Sequence, residues 1–132
     1  MTAETITVDG KEYKVFVVYP SRRRRVTLQD GPAAGEALSH RKIRDLKGSY
    51  LGYTMSIKSI PGEQADYDAL WDVLKMPVDY HRVMLPCGQE NIEFDAAIYS
   101  LEDVDYGVTG ETRKWSDMEL VFEPMEPQWR PT

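Results

Sequence analysis

The sequence predicts a mainly β domain, α+β in class, with one short helix. Two observations carry this. Alternation of apolar and polar residues with a period of two recurs along the chain, most clearly at Ile92, Phe94, Ala96 and Ile98. The helical period occurs once, where Tyr67, Leu70, Trp71 and Leu74 fall at i, i+3, i+4 and i+7. The 132 residues suit a single domain, 1–132, large enough to bury a core without disulfides or metal.

Thr5 to Asp9 alternates and is rich in β-branched residues, and Asp9-Gly10 is a hairpin turn signal. Tyr13 to Tyr19 forms the return strand, ended by Pro20-Ser21. Arg22, Arg23, Arg24 and Arg25 follow, leading into Val26-Thr27-Leu28. In a strand alternate arginines point to opposite faces, so the run is no one-faced nucleic-acid stripe. Contact with acidic neighbours or another subunit suits it better. Residues 29–40 carry Asp30-Gly31-Pro32 and Ala33-Ala34-Gly35 and are expected to form a long loop.

Strand pattern returns from Arg41 to Ser59, interrupted by Gly48 and Gly52, where a bulge or bend is expected. Tyr53, Met55 and Ile57 then share one face. Pro61-Gly62 ends that strand. The helix is expected over about 66–75, with Asp66 as N-cap, stopping before Pro77. His81, Val83 and Leu85 alternate with Tyr80, Arg82 and Met84 in the next strand, with His81 expected at a strand surface or edge. Pro86 to Gln89 turns the chain into the strand of Phe94. The last strand turns Met118, Leu120 and Phe122 inward. The polar, glycine-bearing stretch 101–114 is expected to be a long loop or an extended hairpin tip. The tail 124–132 is proline-rich and expected to be extended. The predicted core is Tyr67, Leu70, Trp71, Leu74, Ile92, Phe94, Ile98, Leu120 and Phe122.

Little in the sequence supports catalysis. His40 and His81 stand in no motif, and Cys87, the one cysteine, has nothing nearby to activate it and no disulfide partner. The acidic cluster Glu102, Asp103 and Asp105 misses calcium-loop spacing: counted from Asp103, position six is Val108 rather than glycine. Gly31 and Gly35 lack the lysine of a phosphate loop. No enzyme activity, metal or cofactor is expected. No apolar run approaches a membrane span, and Met1-Thr2-Ala3-Glu4 lacks the layout of a leader, so a soluble location is expected.

The net charge of −6 is divided unevenly. Residues 1–60 hold eleven Lys/Arg and six Asp/Glu, a balance of +5, whereas residues 61–132 hold five and sixteen, a balance of −11. Such a chain is ill-suited to gripping nucleic acid but suits charge-complementary contact between copies. Solvated surface is the plainer reading of the same charges. Candidate subunit or partner contacts are Arg22, Arg23, Arg24, Arg25, Asp30, Glu36, Glu102, Asp103, Asp105 and Trp129. Trp129 qualifies because a tryptophan in an extended tail docks on something, its own domain or a partner.

Several segments carry a resemblance. They are Arg44-Asp45-Leu46-Lys47-Gly48-Ser49-Tyr50 before the strand Tyr53 to Ile57, then Asp66-Tyr67-Asp68-Ala69-Leu70-Trp71-Asp72-Val73-Leu74. Pro77-Val78-Asp79 and Leu85-Pro86-Cys87-Gly88-Gln89 follow. Last come Trp115 to Phe122 and Met125-Glu126-Pro127-Gln128-Trp129-Arg130-Pro131. In this order, over roughly residues 5–131, the chain resembles small tail proteins of long-tailed bacteriophages and prophages. The resemblance implies the tail-tube fold, an antiparallel β-sandwich or barrel with a short flanking helix, also found in the N-terminal domain of distal tail proteins. It implies a non-catalytic virion role as tail tube, distal tail, tail-completion or baseplate adaptor protein. The partners would be copies of itself in a ring, commonly a hexamer, and other tail proteins, with DNA at most a passing cargo. The location would be the virion tail, reached from the bacterial cytoplasm. The alternative is a monomeric β-sandwich module binding a protein or peptide.

Overall fold

The structure, a computed structural model, describes residues 2–131, with Thr2 described by its backbone alone. Ten strands and one helix follow in the order β1 (Thr2–Val8), β2 (Lys11–Val17), β3 (Arg23–Asp30), β4 (Gly35–Glu36), β5 (Lys42–Ile43), β6 (Leu46–Lys58), α1 (Gln64–Leu74), β7 (His81–Cys87), β8 (Glu90–Ala97), β9 (Glu102–Thr109) and β10 (Thr112–Pro124). The architecture is mainly β with one short helix, as the periodicities predict. Asp9 and Gly10 both take positive φ, +52° and +81°, so the expected hairpin turn joins β1 to β2.

The main sheet runs β3-β6-β2-β1-β7-β8-β10-β9, and β10 also pairs with β6. That extra pairing closes six of the strands into an antiparallel barrel. Closure is possible because β6 and β10 are thirteen residues each, long enough to serve two neighbours along one edge. β6 pairs with β3 from Leu46 to Thr54 and with β2 at Ile57 and Lys58, while its other edge meets β10. β10 pairs with β9 from Thr112 to Glu119 and with β8 at its end. β3 and β9 therefore lie outside the closed ring, each with one unpaired edge.

Inward residues of the barrel strands, among them Val8, Val15, Leu51, Ile57, Val83 and Phe122, are fully buried. Each contributes roughly 1.5–3 kcal/mol by leaving water. Tyr67, Leu70 and Leu74 of α1 join the same core. Of the predicted core, Tyr67, Leu70, Leu74, Phe94, Leu120 and Phe122 are buried, whereas Trp71, Ile92 and Ile98 are only partly buried against it.

Four sequence expectations need correction. The helix begins two residues earlier, with Glu63 as N-cap and no side-chain cap bond. Asp66 lies inside its first turn and accepts the Lys14 backbone N–H at 3.0 Å instead, tying α1 to β2. Of the two readings of 101–114 the hairpin holds and the long loop falls: β9 and β10 pair across a turn at Gly110 and Glu111. Val104, Tyr106 and Val108 alternate with Asp103, Asp105 and Gly107, but they face solvent, not the core. The loop assigned to 29–40 starts after β3, which extends through Asp30, and it contains β4. Finally, His81 is buried, on the same inward face as Val83 and Leu85.

Gly48 shows why a glycine interrupts β6. Opposite Gln29 and Asp30 the register shifts, leaving an extra residue beside Gly48, the bulge expected there. Gly48 has φ +143°, and a Cβ there would meet the Trp129 carbonyl oxygen at 2.5 Å and Pro127 Cβ at 2.7 Å. The C-terminal tail uses that space. Ser49 N–H donates to Trp129 O at 2.8 Å, Gln128 N–H donates to Ser49 O at 3.0 Å, and Leu51 N–H donates to Gln128 Oε1 at 2.7 Å.

Candidate functional site

The four arginines do not act as one group. Arg22, just before β3, forks onto Glu4 of β1 at 2.9 and 3.1 Å in a partly buried pair. Its position is fixed by the barrel. Arg24 points to the opposite side from Arg23 and Arg25 and donates to Cys87 Sγ at 3.3 Å. Arg23 and Arg25 stand opposite Thr54 and Gly52 of β6. With Thr27, Tyr50 and Glu123 they line an outer groove of about 550 Å3. Every residue of β3 is exposed.

Asp30 and Glu36 are engaged within the hairpin that β3 and β6 form. Arg44 Nε donates to both Asp30 oxygens at 2.9 and 3.1 Å, and the Asp45 N–H adds a third bond. The Arg44 hydrogen bond, above all, holds the Asp30 carboxyl below its usual range. Glu36 contacts His40 at 3.3 Å.

At the other end of the sheet, Glu102 is exposed. Asp103 accepts the Tyr67 hydroxyl at 3.0 Å. Burial, helped by the charge of Asp68, keeps the Asp103 carboxyl above its ordinary value despite that bond. Asp105 accepts the Gly107 N–H at 2.8 Å and Arg113 at 2.6 Å, and the Gly107 bond leads in holding its carboxyl low. Lys58 and Tyr106 both hydrogen-bond Asp117, and these bonds, Lys58 first, hold its carboxyl low as well. Trp129 packs through its backbone on β6, is 46% exposed as a residue, and lines a shallow pocket with Leu28 and Leu46.

The candidate residues thus fall into two separate sets. Arg23, Arg25, Asp30, Glu36 and Trp129 lie on or against the β3–β6 hairpin, and Glu102, Asp103 and Asp105 on β9. The sheet order puts β3 and β9 at its two ends. Their open edges carry opposite charge: three arginines and one aspartate on β3, three carboxylates and no cation on β9. The arginine count alone missed the apolar part of these surfaces. Val26 and Leu28 on β3, Ile43 and Leu46 across the hairpin, and Val104 and Val108 on β9 are all substantially exposed. Their signal was present as alternation without a covering partner.

His81 is a further polar residue held at a built site. Its Nδ1 lies 2.7 Å from Asp9 Oδ2, and its buried Nε2 has no partner among the described residues. An ionised carboxylate only accepts, so Nδ1 carries the proton. Asp9 also accepts the Arg82 N–H at 2.9 Å, and its own N–H donates to Arg82 O at 2.7 Å, which fastens the first hairpin turn to β7. Burial opposes ionisation of Asp9, but the His81 and Arg82 bonds outweigh it and hold the carboxyl low. His40 and His81 take different carboxylate partners, one at the hairpin tip and one in the barrel. Among the described residues, no three His, Cys, Asp or Glu side chains are placed to hold a metal ion. Among the same residues, no helix is long and apolar enough to cross a membrane.

Comparison with protein-family models, curated proteins and solved structures finds no match to this chain.

Proposed function

We propose that this protein is a structural component of a bacteriophage or prophage tail that works by joining copies of itself into rings. The observation that carries this reading is the pair of open strand edges, one basic and one acidic, left outside an otherwise closed barrel. An exposed, unprotected edge is a template for pairing with another chain. Opposite charges on β3 and β9 favour pairing each edge with the other kind, which is a head-to-tail contact. Such a contact repeats, and it closes when the rotation between copies allows. The resemblance in element order supports a tail location, reached after synthesis in the bacterial cytoplasm. The acidic balance fits a lumen through which DNA slides without sticking, since like charge repels phosphate. Tube, distal-tail, completion and adaptor positions are all compatible with such a subunit. No step of this role requires catalysis.

Electron microscopy of the purified protein at rising concentration tests the proposal. Rings of uniform diameter are expected. Isolated single particles throughout, with specific capture of a peptide or protein partner, would replace the proposal with the monomeric binding module.

A further inference from the structure

Between α1 and the β9–β10 hairpin lies a cleft of about 430 Å3 lined by Asp68, Trp71, Asp72, Asp103 and Trp115. Trp71 is half-buried and Trp115 is 38% exposed, so both rings leave apolar surface facing solvent. The carboxylates are poorly supplied with cations. Asp72 pairs with Lys75 at 2.8 Å in an exposed contact. Asp68 accepts from the Gln64 amide and Asp103 from the Tyr67 hydroxyl, both neutral donors. Burial first, and then the neighbouring charge of Asp68, raise the pKa of Asp103. Aromatic faces beside carboxylates suit a guanidinium or ammonium on a flexible apolar stem.

The chain carries a segment of that kind. The tip of the β3–β6 hairpin presents Arg41 and Lys42, both exposed. The tip's acidic residues are engaged elsewhere, Glu36 with His40 and Asp30 with Arg44. Among the described residues neither Arg41 nor Lys42 has an ion-pair partner. Leu38 beside them is fully exposed and Ile43 is 52% exposed.

Tip and cleft cannot meet within one chain. The tip joins β6 at its first residue, Leu46. The cleft adjoins the far end of β6, where Ser59 N–H donates to Ser116 Oγ, next to Trp115. Thirteen residues of strand separate these ends by about 40 Å at roughly 3.3 Å per residue. We propose that the Trp71–Trp115 cleft receives the basic hairpin tip, Arg41 and Lys42, of a second copy of this chain. This rests on the self-assembly reading and supplies it with a second contact, at the ends of β6 instead of along the sheet edges. It is again head-to-tail, so each copy offers one tip and one cleft.

The test uses the 132-residue chain carrying Trp129→Phe, so that emission reports Trp71 and Trp115. A synthetic peptide of residues 37–45 is titrated in at low and high salt. A saturable change in emission is expected, weaker at high salt. Replacing Arg41 and Lys42 of the peptide by glutamate, or making Asp68→Lys in the protein, should weaken it at least about tenfold. In the 132-residue chain, Arg41→Glu with Lys42→Glu should reduce self-association. Peptide binding that reversal abolishes supports the inference in any assembly state of the protein. No response up to millimolar peptide, or equal binding by the reversed peptide, overturns it. Failure of the self-assembly reading is a different result: wild-type protein that is monomeric at every concentration.

Discussion

The closed barrel and the hairpin that projects from it are built with the same two-residue period, yet they present opposite surfaces. β6 belongs to both. From Leu51 onward its odd-numbered residues are fully buried and its even-numbered ones only partly covered. At its start, Leu46 is 39% exposed, and its partner strand β3 has no buried residue at all. Val26 and Leu28 are as apolar as Val15 and Leu51, but α1 and the opposite barrel wall do not extend over them. Alternation therefore says that a strand has two faces, and tertiary context decides whether either is covered. A strand pair that shows apolar residues and an open edge to solvent has surface left for a partner.

The largest effect separates the two regions directly. Phe122→Ala removes a fully buried ring from the barrel and should cost about 3–5 kcal/mol. Leu28→Ala, at a position 51% exposed, should change the stability of the isolated chain by no more than about 0.5 kcal/mol. Urea unfolding of both variants measures the difference, and a comparable loss at Leu28 would mean that the hairpin is covered within the chain.

The joint between the regions comes next. Gly48→Ala introduces a Cβ into the Trp129 carbonyl at a positive φ and should cost about 2 kcal/mol or more. Limited proteolysis should then cut the tail from residue 125 onward faster than in the wild type. Slightly smaller is the contrast inside the arginine run. Arg22→Ala leaves Glu4 partly buried without its cation, at a cost of about 1–2 kcal/mol. Arg23→Ala and Arg25→Ala should stay within about 0.5 kcal/mol. If all four arginines cost the same, the division of the run between barrel and hairpin is wrong.

The smallest effects are those of pH, and their signs differ by site. Asp9 is held low in the folded state, so it stabilises at neutral pH and that contribution is lost as pH falls through its folded value. Asp9→Asn should therefore be less stable than the wild type at pH 7, with the gap narrowing below about pH 4. Asp103 is held high, so its ionisation opposes folding at neutral pH and that penalty disappears in acid. Asp103→Asn should match or exceed the wild type at pH 7 and lose any advantage in acid. Unfolding midpoints from pH 3 to 8 check both.

Much of this fold was legible in the sequence because burial leaves a period. The helix face Tyr67, Leu70 and Leu74 and the inward run Phe94, Leu120 and Phe122 follow from it. β9 was hard to recognise because neither of its faces enters the core, and two register shifts against β10 break its pairing. Barrel closure was not legible, since it depends on β6 and β10 each pairing with three strands, one another included. At the candidate site, the charges were visible but their pairing was not. Nothing local distinguishes Arg22, bound to Glu4 eighteen residues away, from Arg23 beside it. His81 had a usable signal, its place in phase with Val83 and Leu85. Asp9, its partner, lies 72 residues distant.

The central claim is that the open, oppositely charged edges join copies of the chain. Light scattering across a concentration series, on the wild type and on Arg23→Glu with Arg25→Glu, tests it most directly. The account predicts a wild-type particle several times the mass of one chain, and a variant that stays monomeric with an unchanged unfolding midpoint. A wild type that remains a single chain at every concentration, or a variant that assembles equally well, would contradict it.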